Sequence, residues 1–436
     1  MNLTKTMIGA TILAVAAAAS ARGENWPQWR GPLFNGSTSE KGLPDSCEKE
    51  NRLWATDLPG HSSATPIVWG DRVFISATDP ATKGVMAMCL AVADGKVLWQ
   101  KRVGDDLRAP NNDAATPSAC TDGRLVYFLY GTGDLAAFDF AGKCVWSRNI
   151  VKDYGNPCIK YGYSSSPLLY GGKLYVEMIR RAKPHPGLGE PGTNKPLDPY
   201  LLAIDAATGK DLWRHIRSSD ADDESLEAYT TPMPYERGGK AEIVLVGGDY
   251  LTGHDPATGR ELWRLGYNPS HHGMWRLVPG TVAWEGLIYF AIPRGKALWA
   301  AKVGGTGKLG EDAVAWKFDG TTTDSATPLV YDNSLYVLDS DRKVMVCFDP
   351  RTGKERWRGD LKTLRPWRAS PMGADGKIYC LSEEGEVAVL AAGGEFKILS
   401  RTKLGDGPTQ ASIAASGGRL FVRTATKLFC FGKPAK

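Results

Sequence analysis

A tryptophan that ends a short strand after a small-residue hairpin turn recurs along this chain, and that repeat limits what the chain can fold into. The clearest copies are Asp205-Ala-Ala-Thr-Gly-Lys-Asp-Leu-Trp213, Asp255-Pro-Ala-Thr-Gly-Arg-Glu-Leu-Trp263 and Asp349-Pro-Arg-Thr-Gly-Lys-Glu-Arg-Trp357. Looser copies end at Trp99, Trp146 and Trp316, and Phe396 replaces the tryptophan in a seventh. An eighth, Trp54, stands near the N-terminus with no turn before it. A period in the forties is the sign of stacked β units, usually propeller blades. One such ring absorbs all 436 residues, where ordinary domain sizes would suggest two or three units.

Each repeat has the same internal order. It opens on Ser/Thr/Ala residues and usually Pro, as in Ser63-Ala-Thr-Pro66, Ala115-Thr-Pro117, Ser165-Ser-Pro167, Thr230-Thr-Pro232, Ala326-Thr-Pro328 and Ser370-Pro371. Pro279-Gly280 and Ser412-Ile413 are weaker versions. A glycine-bearing turn and a β-branched, aromatic strand follow, for example Lys173-Leu-Tyr-Val176. A third strand leads into the Asp-x-x-Thr-Gly turn, where Asp can accept backbone N–H groups and Gly can take the left-handed conformation. The tryptophan strand ends the unit, so four antiparallel strands make one blade. The tryptophans themselves read as packing between blades.

The two chain ends are complementary. The last repeat, 409–432, lacks an outer strand, while residues 51–58 (Asn-Arg-Leu-Trp-Ala-Thr-Asp-Leu) form an outer strand without the other three. Joining them predicts an all-β, eight-bladed propeller whose last blade is closed by an N-terminal strand, leaving no open edge. A seven-bladed ring with a stray strand leaves Trp54 unexplained. The domain reading is therefore 1–21 signal peptide, 22–50 N-terminal arm and 51–436 propeller. Two spacings exceed the period. Ile179 to Pro199 is inserted between the second and third strands of blade 3, and a smaller excess lies around Gly304-Gly-Thr-Gly-Lys-Leu-Gly310.

Lys5, the apolar stretch Met7 to Ala19 and the small-x-small site Ala19-Ser20-Ala21 read as a secretory signal. No later apolar run is long enough for a membrane helix. The expected location is periplasmic or secreted. A net charge of +5, with no Lys/Arg run, argues against nucleic acid as a partner. Cys89, Cys347 and Cys430 occupy matching repeat positions and read as small buried strand residues. Cys120 with Cys144 is the best candidate for a disulfide.

The fullest repeat, Ala203 to Trp213, resembles that of the pyrroloquinoline-quinone-type (quinoprotein) β-propellers, and the resemblance runs from about Trp26 to Phe431. The entry Trp26-Pro-Gln-Trp-Arg-Gly-Pro32 with Asn35-Gly36 resembles the N-terminal arm of exported members. That family includes quinone-dependent dehydrogenases and non-enzymatic scaffolds such as the propeller lipoprotein of outer-membrane barrel assembly. The family's alcohol dehydrogenases carry a vicinal Cys pair and a calcium site of carboxylates and Asn. Here no two Cys are adjacent, and Asn111-Asn112-Asp113, which also reads as an inter-blade turn, is the one cluster that invites a calcium role. The lipidated Cys of the scaffold is absent as well.

In this topology the inter-blade connections share one face with the loops between second and third strands. They bring Lys160, Tyr161 and Tyr163, then His271, His272, Trp275 and Arg276, then Trp367 and Arg368, with His61 beside them. Aromatic faces suit sugars, quinones or peptides, and Arg suits carboxylates or phosphates. These nine residues are the candidate ligand site, set against the plainer reading of loop decoration packed between blades. Adjacent His271 and His272 are no metal signature, and Asp220-Ala-Asp-Asp-Glu224 reads as a solvated loop. Two functions follow from the resemblance. The first is a binding or scaffold protein that presents this face to a protein or small-molecule ligand. The second is a dehydrogenase of an alcohol or sugar holding pyrroloquinoline quinone and calcium. The missing Cys pair and calcium cluster favour the first. A hydrolase or lyase built on His271 and His272 is the least supported.

Overall fold

The computed structural model describes residues 23–107, 112–182, 197–302, 304–320 and 322–433. Eight antiparallel sheets form the ring. Blades 1 to 7 span 67–105, 120–149, 168–216, 233–266, 282–318, 329–360 and 372–403. Blade 8 takes three strands from 414–432 and its outer strand from Arg52–Asp57. That strand pairs with Lys427–Gly432, Trp54 facing Cys430 and Asp57 facing Lys427. The expected closure by both chain ends is therefore what the fold shows.

The tryptophans hold neighbouring blades together by one repeated contact. The indole N–H of Trp54 donates to Val92 O, that of Trp99 to Phe140 O, and that of Trp146 to Ala206 O. Trp316 and Trp357 likewise donate to Pro350 O and Gly393 O. Every acceptor lies in the hairpin turn of the next blade. The turn glycine lies flat against the ring: a Cβ at Gly209, where φ is +71°, would come within 2.6 Å of Trp146. Glycine is thus required there for both conformation and space. Within its own blade each tryptophan faces a small residue: Cys89 opposite Trp99, Ala203 opposite Trp213, Gly253 opposite Trp263 and Cys347 opposite Trp357. This explains the recurring cysteines as small buried partners of indole rings.

The Trp213 N–H is buried with no hydrogen-bond partner among the described residues, and two other blades depart from the pattern for visible reasons. Blade 5 has no Asp-x-x-Thr-Gly turn. Its insertion instead lays Gly307–Leu309 parallel to the outer strand of blade 4, with Gly307 opposite Trp263. The Trp263 indole turns to Glu242 of its own blade. Blade 8 has no continuous turn between its third and outer strands, because the chain enters there from the arm. Arm residues fill the gap: Tyr379 donates to Pro44 O and Ser400 to Asp45 O.

The candidate Cys120–Cys144 disulfide is absent. Both thiols are free, Cys120 buried and Cys144 exposed. They sit on the first and fourth strands of blade 2 with two strands between them, roughly 14 Å apart at the usual strand spacing. Of the insertion in blade 3, residues 183–196 lie outside the described residues, as do Asn111 and the proposed signal segment.

Candidate functional site

The inner edges of the blades surround a central cup of about 380 Å³. Its wall is a ring of Ser and Thr at the start of the repeats. The Thr65 N–H donates to Ser118 Oγ at 2.9 Å, Ser118 to Ser166 at 3.0 Å and Ser166 to Thr231 at 3.0 Å. Across the ring, Gly280 donates to Thr327 at 2.8 Å, Thr327 to Ser370 at 3.0 Å, Ser370 to Ser412 at 3.2 Å and Ser412 back to Thr65 at 3.2 Å. Each hydroxyl satisfies a buried backbone N–H of the preceding blade. Their own O–H protons have no acceptor among the described residues, and they line the cup as donors.

One link is missing, because position 280 is glycine. Trp29 stands in that gap, its ring 3.4 Å from where a Gly280 Cβ would be. Trp29 belongs to the N-terminal arm, which crosses the underside of the ring. Trp26 exchanges backbone bonds with Val68 of blade 1, Pro27 O accepts from Thr121 of blade 2, and the Gln28 side chain exchanges bonds with Leu169 of blade 3. The arm continues to blade 7, where Thr38 N–H bonds Gly373 O. Arg30 is buried and donates to Pro371 O at 3.0 Å, Pro328 O at 2.7 Å and Asn35 O at 2.9 Å. Burial without a carboxylate partner pulls its guanidinium down to about 9. The arm therefore closes one end of the channel and puts an indole on the floor of the cup.

At the open end the structure brings together three of the residues singled out in the sequence. Tyr161, Arg276 and Arg368 all line the cup, with Asn112, Asp324, Asp341 and Gln410. Arg276 lies over the Tyr161 ring at 5.4 Å and reaches Asp324 at 3.2 Å through Nη2, while its Nε and Nη1 are buried without a partner. Arg368 bonds Glu383 at 2.8 Å. Lys160 stands beside them, tied to Glu224 at 3.1 Å.

The other candidates are placed elsewhere. Tyr163 is buried behind the wall, its hydroxyl donating to Glu177 O at 3.0 Å. Trp367 is fully buried between blades 6 and 7, its N–H on Thr363, so its ring is no part of the cup surface. Around it Leu364, Arg365 and Arg368 are exposed. His272 and Trp275 stack on each other at 5.4 Å on the rim, and His271 faces Asp249 at 4.0 Å in a separate cleft. In the acidic segment Asp220, Asp222 and Asp223 are exposed, as expected of a solvated loop, and Glu224 is the exception. Glu224 is buried and joins Lys160 to Arg294, while Asp223 and the nearby Glu227 hold Arg181. These acids lock the rim because the insertion in blade 3 and the loop after Ile292 bring arginines over them.

Sequence reasoning missed Trp29, the hydroxyl ring and Asp324. The ring has a clear signal, since a Ser or Thr precedes the first strand in seven repeats and Gly280 breaks the series. His61 is held by buried Asp113 at 2.5 Å and touches Pro408 O at 3.2 Å. Behind the wall, burial pushes the Glu177 carboxyl up to about 8, against the hydrogen bond from Thr230.

Pyrroloquinoline quinone is a flat tricarboxylate rich in acceptor oxygens, with a single pyrrole N–H donor. An indole floor, a ring of hydroxyl donors and two arginines match those needs. Among the described residues no three His, Cys, Asp or Glu side chains gather, and Asp324 and Asp341 each face an arginine.

A family model described as outer membrane protein assembly factor BamB matches residues 48–176 and 248–397. Polyvinylalcohol dehydrogenase of Sphingopyxis sp. is 27% identical over 192 residues, which is 43% of this chain but 28% of that protein. The chain thus spans under a third of that relative's length. Among solved structures, BamB from Moraxella catarrhalis superposes with a TM-score of 0.62 at 13% identity, over 88% of this chain and 98% of that one. The quinohemoprotein alcohol dehydrogenase of Comamonas testosteroni gives 0.65 at 13%, over 96% and 82%. A europium-containing methanol dehydrogenase gives 0.66 at 11%, over 93% and 90%. At such identities the likeness is one of fold.

Proposed function

Because the chain belongs to the family described by the outer membrane protein assembly factor BamB, a family of quinoprotein-type propellers, we propose that it is an exported binding protein whose cup takes a small, oxygen-rich ligand. The observation that carries this reading is the excess of donors. Seven hydroxyls and Arg276 line one indole-floored cavity, and among the described residues neither the hydroxyl protons nor the Nε and Nη1 of Arg276 have an acceptor. Buried donors without acceptors are costly, at about 1–3 kcal/mol each when fully desolvated, and an acceptor-bearing ligand relieves that cost. Tyr161 and Trp29 supply flat faces for a planar body. Lys160, Arg368 and the His272–Trp275 pair form the rim, which is also the surface a protein partner would meet.

The second reading is a quinone-dependent alcohol dehydrogenase. The match to part of polyvinylalcohol dehydrogenase and the fit of a flat tricarboxylate to the donor set favour it; the lack of a calcium ligand set and of adjacent cysteines counts against it. When bound, the quinone would supply the two-electron acceptor, and this chain would hold it on Trp29 with Arg276 and Arg368 at its carboxylates.

The test uses the purified full chain. It is titrated with pyrroloquinoline quinone, with and without calcium, and with a series of di- and tricarboxylates. Dye-linked oxidation of polyvinyl alcohol and of short alcohols is then measured. Binding of a carboxylate ligand that Arg276→Gln weakens about tenfold or more, without oxidation, supports the binding protein. Calcium-dependent oxidation with bound quinone replaces it by the dehydrogenase. Failure of every ligand to bind overturns the cup as a small-molecule site.

A further inference from the structure

A second cavity of about 320 Å³ lies between blades 4 and 5, and it shares no lining residue with the cup. At its inner end is Asp249, in the tight turn between the second and third strands of blade 4. The Asp249 side chain is 3% exposed. Its Oδ1 accepts from Asn268 Nδ2 at 2.9 Å, but Oδ2 is buried with no hydrogen-bond partner among the described residues. His271 Nδ1 faces this oxygen at 4.0 Å, from a side chain that is 43% exposed.

Both residues sit in the left-handed region, Asp249 at φ +66° and His271 at φ +50°. Such conformations each cost about 1 kcal/mol or more and collect where a site needs them. A gap of 4.0 Å is too long for a hydrogen bond and suits one group that both donates and accepts, such as a hydroxyl. Further donors and acceptors line the cavity: Asp220 with its Tyr250 hydroxyl bond at 2.8 Å, and Lys308 from the strand added to blade 4. Trp299, Leu265 and Leu309 supply the apolar wall. Charges of both signs disfavour a ligand with strong net charge, while the mixture of donors, acceptors and an aromatic wall suits a ring with hydroxyls on its edge and C–H groups on its face.

We propose that this cleft is a separate binding site for a neutral polyhydroxyl ligand of the pyranose class, with Asp249 and His271 gripping one hydroxyl between them. Burial, helped by the nearby carboxylates of Asp220 and Asp222, pushes the Asp249 carboxyl up to about 6, against the Asn268 bond and His271, so the group accepts best above that pH. Binding should therefore strengthen from pH 5 to pH 7.

The full chain is screened by saturation-transfer NMR and calorimetry against cellobiose, maltose, mannobiose, xylobiose and chitobiose. At least one is expected to bind. Asp249→Asn, which tolerates the left-handed turn, should weaken that binding about tenfold or more. His271→Gly, also suited to its φ, should do the same, with the melting temperature of each variant recorded as a control. Arg276→Gln in the cup should leave it within about twofold. Three results overturn the proposal: no disaccharide binds, binding survives both cleft variants, or Arg276→Gln abolishes it. The last would move the saccharide to the cup and leave the cup reading standing.

Discussion

On the wall of the ring one contact is repeated from blade to blade: an indole lies on the turn glycine of its neighbour and donates to a carbonyl beside it. At the hub the repeated element is a hydroxyl that caps a backbone N–H, and what matters there is where the series fails. Gly280 removes one hydroxyl, and Trp29, from outside every repeat, stands in the vacancy. The wall is dry and aromatic. The hub holds buried ionisable groups, Arg30 and Glu177 among them. Regularity builds the frame, and departure from regularity shapes what the frame contains.

The largest effect that separates hub from wall is expected in the pH dependence of stability. Glu177 is raised by burial to about 8 in the folded state, from an ordinary unfolded value of 4.5. The unfolded chain therefore loses this proton first. Stability falls as pH rises from about 4.5 to about 8, with a limiting slope of about 1.4 kcal/mol per pH unit, and is flat in this component above that. Urea denaturation across this range should show the slope in the parent and lose it in Glu177→Gln. A parent without the slope would break the contrast.

A smaller effect tests where the wall ends. Trp367 is fully buried between blades, while Trp275 lies half-buried on the rim against His272. Trp367→Ala should cost about 3–5 kcal/mol, and Trp275→Ala about 1 kcal/mol or less, by equilibrium unfolding. Equal losses would erase the distinction between packing and rim. The smallest effect probes the hub ring itself. Ser166→Ala leaves the Ser118 N–H unpaired and should cost about 1–2 kcal/mol. Ser164→Ala, whose hydroxyl has no such link, should be close to neutral.

The frame was legible in the sequence because it is periodic. Asp-x-x-Thr-Gly before a tryptophan announces a turn and its indole, and Trp54 with the unfinished repeat at 409–432 announces how the ring closes. The cup was legible in part. Tyr161, Arg276 and Arg368 could be placed on one face by topology alone. Trp367 was misjudged because a loop position does not say whether the side chain turns in or out. The burial of Glu224, unlike its exposed acidic neighbours, was not legible because its partners, Lys160 and Arg294, lie far away in sequence. Trp29 was recognised as part of an arm motif. Its role on the channel axis depends on that arm crossing beneath five blades, which no local pattern encodes.

The pairing of Arg52–Asp57 with Lys427–Gly432 has a consequence for how the molecule comes into being. A chain delivered from its N-terminus presents this strand at the outset and its mate some 370 positions later. Until then the strand's backbone donors and acceptors are open to any passing edge. Pairings this remote are slow to form. Closing the ring thus has to wait for two segments far apart in the chain to meet, and a protective binder of bare strands would have its greatest benefit during that interval.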